Sequence, residues 1–149
     1  MKPKKIIKDR KGASAVEFAL VLPLLLLIVF GIVEWGLYLF NKHIITNASR
    51  TGARLGIIQR IPRVSPDEIE QAVRNYSGAR LVTFATPKPD DLKINEPPDP
   101  PLAICTKFGD DLEVIVKYNY TFLLLPSLTL GRVSPSMTIT ARTSMKCDG

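Results

Sequence analysis

ASAVEFALVLPLLLLIVFGIVEWGLYLF, residues 13–40, decides how the rest of this chain is read. Between Glu17 and Glu34 it runs through sixteen residues without a single charge. At ~1.5 Å per residue the stretch makes a helix of about 40 Å, longer than the ~30 Å hydrocarbon core of a bilayer. A cleaved secretory signal fits poorly. Its apolar region would be ~7–15 residues long and would end in a small-x-small site. This stretch ends instead in Trp35, Tyr38 and Phe40, and no cysteine lies near it to carry a lipid. Residues 13–40 are therefore expected to form a transmembrane helix in contact with the lipid bilayer.

The charge distribution orients that helix. The 149 residues carry a formal net charge of +6 and a pI near 9.5. Lys2, Lys4, Lys5, Lys8, Arg10 and Lys11, opposed only by Asp9, supply nearly all of it. Basicity confined to one terminal tag is no nucleic-acid surface. Beside a long apolar segment it is a topology signal, so residues 1–12 read as a basic cytoplasmic leader and the C-terminal region as exported. Lys42, Arg50 and Arg54 follow the apolar stretch more sparsely.

The helix is expected to continue past the membrane over residues 41–61. Ile44, Ala48, Gly52 and Leu55 recur at three- and four-residue steps, one face of an amphipathic helix. Ala48, Gly52 and Gly56 form a small-xxx-small series that allows another backbone to come close, which makes them candidate helix-packing positions. Pro62 clashes with a preceding turn, so the helix should end near Arg60.

Residues 62–149 read as a small α+β domain. Ser65, Pro66 and Glu68 signal the start of a short helix with a capping box, and Ile69, Ala72, Val73 and Tyr76 give it one apolar stripe ending at Ser77-Gly78. Leu81–Thr86 reads as a strand. Six prolines between Pro87 and Pro101 read as a loop that can donate little to a sheet. Leu112, Val114, Val116, Tyr118, Tyr120 and Phe122 then alternate with more polar neighbours, as do Met137, Ile139, Ala141, Thr143 and Met145. These two strands should pair antiparallel, with their apolar face on a helix.

Cys105 and Cys147 both fall in the exported region, where an even count favours a disulfide over two independent thiols. No enzyme is indicated, and no cofactor or metal is expected. The single histidine, His43, has no second histidine or nucleophile motif to work with, and Asp90-Asp91 and Asp110-Asp111 sit in turn contexts.

The segment KGASAVEFALVLP, residues 11–23, resembles the processing signal of type IV pilins and pseudopilins: a basic leader, Gly12, then Glu17 and Phe18 at the head of an apolar helix. The wider pattern GASAVEFALVLPLLLLIVFGIVEWG, followed by ITNASRTGARLG, is similar to TadE-like proteins of the Tad (Flp) tight-adherence pilus system. The likeness is specific over residues 11–56 and rests on layout over 57–149. TadF-like proteins share the pattern, and the sequence does not separate the two groups. TadG-like proteins carry an added domain for which this chain is too short.

The resemblance implies a pilin-like α+β fold, in which the transmembrane helix extends as a long amphipathic helix and packs on a small antiparallel β-sheet with one short extra helix. It implies cleavage by a prepilin peptidase between Gly12 and Ala13, with glycine leaving the backbone extended and accessible there. It also implies that Glu17, one helical turn from the new α-amino group, neutralises that amine on a neighbouring subunit. Phe18 would be the aromatic of the processing motif. The implied partners are other pseudopilins, the major pilin and the inner-membrane pilus platform. The implied place is the bacterial inner membrane, with the C-terminal domain periplasmic or extracellular. The competing expectation is an uncleaved single-pass protein whose exported domain binds or scaffolds in a secretion apparatus. Glu34 is open at this point between helix–helix pairing and snorkelling to water.

Overall fold

The computed structural model describes residues 10–78, 80–82, 92–128, 131–132 and 134–147. Its first element is α1, Arg10–Ile57, an unbroken helix of 48 residues that contains Pro23. From Gly12 to Val33 no residue of α1 is buried. From Glu34 onward one face is. Glu34, Asn41, Ile45, Ala48, Gly52 and Gly56 are buried and Tyr38 is half-buried. These positions follow each other at steps of four and three, so they form one stripe along the helix. The most apolar window of α1 has a mean hydropathy of 2.8 and is wholly unburied, which fits a single-pass membrane protein.

The helix ends at Ile57, three residues before the expected Arg60. The Ile58 N–H donates to the Leu55 carbonyl, tightening the last turn, and the residues up to Pro62 are exposed connection. Ending there lets α2, Pro66–Gly78, fold back onto α1. Ser65 caps α2 by accepting the Glu68 N–H at 3.3 Å. The Glu68 carboxylate pairs with Arg60 across the turn. Ile69, Val73 and Ser77 are the buried positions of α2.

Three antiparallel strands follow in the order β1-β2-β3: β1 Lys93–Ile94, β2 Asp111–Thr121 and β3 Ser136–Lys146. Strands β2 and β3 pair along their whole length, from Asp111 opposite Lys146 to Thr121 opposite Ser136. A one-turn helix, α3, Leu125–Leu128, lies in the connection between them. The alternation of β2 is as expected: Leu112, Val114, Val116, Tyr118 and Tyr120, with Phe122 just beyond, are buried, and Ile139 and Ala141 of β3 join them. This face lies on Ile45, Ala48 and Ala53 of α1 and on Ile69 and Val73 of α2. The architecture is α+β, a long helix on a small antiparallel sheet with a short extra helix.

Two expectations need correction. Strand β1 falls inside the proline-rich stretch that reads, from its sequence, as a loop able to donate little to a sheet. Its two residues precede Pro97 and keep their own N–H groups, so Lys93 pairs with Lys117 and Ile94 with Val116. Asn95 ends the strand with a left-handed backbone (φ 46°), a conformation asparagine tolerates. Its side chain bonds the Glu113 and Pro100 carbonyls and the Ile115 N–H, each at 3.0 Å. Ile115 is buried although it alternates with the core face. Separately, Leu81 and Val82 are irregular rather than strand, because Val82 is bonded to α1. The Asn41 amide donates to the Val82 carbonyl at 2.7 Å and accepts its N–H at 3.0 Å. Residues 83–86 of that expected strand lie outside the described residues.

The close approach of α1 to its neighbours requires glycine at two places. A Cβ at Gly52 would stand 2.6 Å from Val73 Cγ2, and one at Gly56 would collide with Leu112 and Ile69. Gly36 has open space around it. Gly52→Val should therefore overpack the core and lower stability by about 1–3 kcal/mol. Gly36→Ala should be neutral or slightly stabilising, since alanine is the better helix former. Thermal unfolding of the detergent-solubilised chain checks both, and equal effects at the two positions would contradict this packing.

Candidate processing and assembly segment

Gly12, Ala13, Glu17 and Phe18 are all exposed near the first described residues of α1. Ala13 and Glu17 are four residues apart, about 6 Å along the axis and on one face. An amine created at Ala13 would thus lie within a side chain's reach of a carboxylate at 17, in the same helix or an adjacent one. One detail differs from the expectation. The Gly12–Ala13 bond lies within α1 and is helical rather than extended. The rest of the basic leader, residues 1–9, lies outside the described residues.

Farther along, α1 presents an open apolar groove of about 580 Å³ between Leu27, Gly31, Trp35, Gly36 and Leu39. Phe18, Leu20, Leu24 and Ile32 are each more than 60% exposed, a surface suited to lipid or to another apolar helix. Ala48, Gly52 and Gly56 have the opposite fate. All three are buried against the chain's own domain, and their closeness is spent on α2 and β2. The structure thus separates the sequence-selected residues into two groups. Gly12 to Phe18 lie on the bare end of α1, and the small-residue series lies in the core.

At the other end of the domain, Cys105 and Cys147 form a disulfide with a Cα–Cα distance of 5.6 Å. It joins the end of β3 to the segment before β2, where Gly109 N–H also bonds the Cys147 carbonyl. Asp110 and Asp111 are engaged locally. Thr106 donates to Asp110 at 3.3 Å, and Lys146 pairs with Asp111 at 2.9 Å. Asp90 and Asp91 lie outside the described residues.

The residue whose position the sequence did not settle is Glu34. It is 5% exposed, so it does not snorkel to water. Its carboxylate accepts the backbone N–H groups of Leu123 and Leu124, the latter at 3.0 Å. A carboxylate accepting two backbone N–H groups is a charge-assisted latch. Beside it Tyr38 is inserted among the sheet aromatics. Its ring centroid is 5.8 Å from Tyr120 and 6.1 Å from Phe122, while Trp35 stacks on its other side at 5.2 Å. Tyr38 is thus a core contact and not only a member of an interfacial belt. The signal for this was present: Glu34, Tyr38, Asn41 and Ile45 continue the stripe of Ala48 and Gly52 backward by regular steps.

Burial raises the Tyr120 phenol above its usual range near 10, and the negative charge of Glu34 and the neighbouring Tyr118 add to it.

Comparison with known proteins gives one finding. Residues 12–54 match the family model described as TadE-like protein. No curated protein and no solved structure matches this chain. The matched interval begins at Gly12 and covers the bare part of α1, the latch residue Glu34 and the helix stripe as far as Gly52.

Two predictions follow from the latch. Glu34→Ala removes the acceptor of two backbone N–H groups and should cost about 1–3 kcal/mol, with Glu34→Gln losing less. Hydrogen exchange at Leu123 and Leu124 reads this directly, and unchanged protection in Glu34→Ala would count against the latch. For Tyr120, the neutral phenol is the form favoured by folding. Its contribution is complete below pH ~10, the unfolded value, and is lost as pH rises through the elevated folded-state value. Tyr120→Phe should accordingly lose less stability than the parent between about pH 8 and about pH 11 in circular-dichroism melts.

Proposed function

We propose, on the premise that the chain carries a TadE-like segment over residues 12–54, that it is a minor pseudopilin of a Tad-type adhesive pilus. The function is assembly, not catalysis. Similarity to the TadE-like family suggests a protein associated with Tad pilus components in general. The finer reading is that a prepilin peptidase cuts between Gly12 and Ala13. The mature α1 then stands in the inner membrane among other pseudopilins and the major pilin, next to the pilus platform. The leader would be cytoplasmic and the α+β domain periplasmic or extracellular.

The observation that carries this reading is the coincidence of the family match with the exposed head of α1. The match starts at Gly12, and Glu17 and Phe18 follow at the spacing of the processing motif on an unburied helix. Once the leader is gone, the new amine has an unperturbed pKa near ~8 and is mostly charged. Glu17 supplies the opposite charge one turn away. In an apolar surrounding, neither charge is stable alone, so pairing across subunits favours assembly and also fixes axial register.

The test is the mass of the mature chain from cells that hold the peptidase. A mature N-terminus at Ala13 is expected, and an intact leader in such cells would remove the processing reading in favour of an uncleaved single-pass scaffold. With cleavage established, Glu17→Ala should be cut normally and still lose most piliation. Normal pilus counts in that variant would show that the carboxylate is not needed for assembly.

A further inference from the structure

With one edge of the hydrocarbon at Ala13, a ~30 Å core ends about twenty residues on, close to Val33. Glu34 is the next residue, and it holds the backbone of Leu123 and Leu124. The connection between β2 and β3 is therefore fixed at the level where the bare helix meets the domain. Its composition is unusual for an exported turn: Leu123-Leu124-Leu125-Pro126-Ser127-Leu128 contains no charge. Leu123 is 50% exposed, and Met137 at the start of β3 is 46% exposed. Trp35 of α1, at the same level, is 48% exposed. Arg132 is exposed in the same connection. Exposed apolar side chains at the level of a tryptophan, with an exposed cation in the same connection, match the apolar-to-headgroup boundary of a phospholipid leaflet.

We propose that the β2–β3 connection is a second membrane contact, with Leu123 and Met137 seated in the interface of the leaflet that α1 leaves. The occupant of this surface is phospholipid. It is the same medium that covers residues 13–33, and Trp35, exposed directly beyond that stretch, carries the apolar surface on to the level of the turn. The latch gives the contact a purpose. By binding Leu123 and Leu124 to α1, Glu34 keeps the apolar turn against the bilayer and sets the height and rotation of the domain above it. This inference rests on the membrane reading of residues 13–33 and is independent of the pilus.

The full-length chain, reconstituted in phosphatidylcholine–phosphatidylglycerol vesicles that include acyl-chain-brominated lipid, tests it. Trp35 is the only tryptophan, so its quenching in the parent reports insertion of the helix. In a Trp35→Phe background, Leu123→Trp places the reporter on the turn and Met137→Trp places a second beside it. Phe108→Trp, at the disulfide end of the sheet, is the control, since Phe108 is 80% exposed there. The expected result is quenching at 123 and 137 at least about half as strong as that of Trp35, with a blue-shifted emission, and no quenching at 108. Quenching of Trp35 without quenching at 123 and 137 would overturn the proposal and leave the membrane helix standing. Loss of both would remove the membrane reading itself. Shielding of 123 and 137 from both brominated lipid and aqueous acrylamide would mean that protein covers the turn, and would also overturn it. Far-ultraviolet dichroism, compared with the parent, shows that each variant is folded.

Discussion

The helix α1 has one face that must be two things in succession. Below Glu34 every side of it is uncovered, and above Glu34 one stripe is the floor of a protein core. No break separates the regimes, because a backbone leaving the helix inside lipid would expose unpaired polar groups. The change of environment is made by side chains alone. Tyr38, Ile45 and Ala48 provide apolar contact, and Gly52 and Gly56 provide closeness. Glu34 and Asn41 provide fixed bonds to the segments that cross the helix. The small sheet and α2 have only modest apolar area of their own, so the stripe on α1 completes their core.

Two of these bonds share a design. Asn41 bonds both the N–H and the carbonyl of Val82, and Asn95 does the same kind of work on Glu113 and Ile115. In each case a planar amide satisfies backbone groups that no regular strand satisfies. A hydroxyl pair, Ser49 with Thr143 at 2.7 Å, joins α1 to β3 in the same manner. Such contacts add little net energy when made, but leaving those buried groups unpaired is costly. They fix where the irregular segments attach, a task that nonspecific apolar burial cannot perform.

Periodicity explains how much of this could be seen in the sequence. The exported part of the long helix, α2 and strands β2 and β3 all carry apolar patterns many residues long, and those patterns match what buries except toward the ends of β3, where Met137 is exposed and Met145 half-buried. The short elements do not. Strand β1 is two residues held by Asn95, and α3 is a single turn, so neither has enough positions for a period to emerge. Asn41 and Glu34 were hidden for a different reason. Both are polar, and a search for apolar residues at helical steps passes over them even where they fall on the step. The likeness of the bare head of α1 to a family was legible from letters instead, because it rests on single residues, Gly12, Glu17 and Phe18, whose spacing survives without any packing partner.

Pro23 interrupts the hydrogen bonding of α1 once, at the Ala19 carbonyl, and nothing else along the helix does so in kind. From there to Ile57 the helix runs roughly 50 Å. A bend of about 10° at that point would carry the far end sideways by roughly 9 Å, since proline is where long helices flex. The domain is bolted to this rod from Glu34 onward, so a bend at Pro23 would swing it as the head of a lever whose fulcrum lies in the apolar stretch.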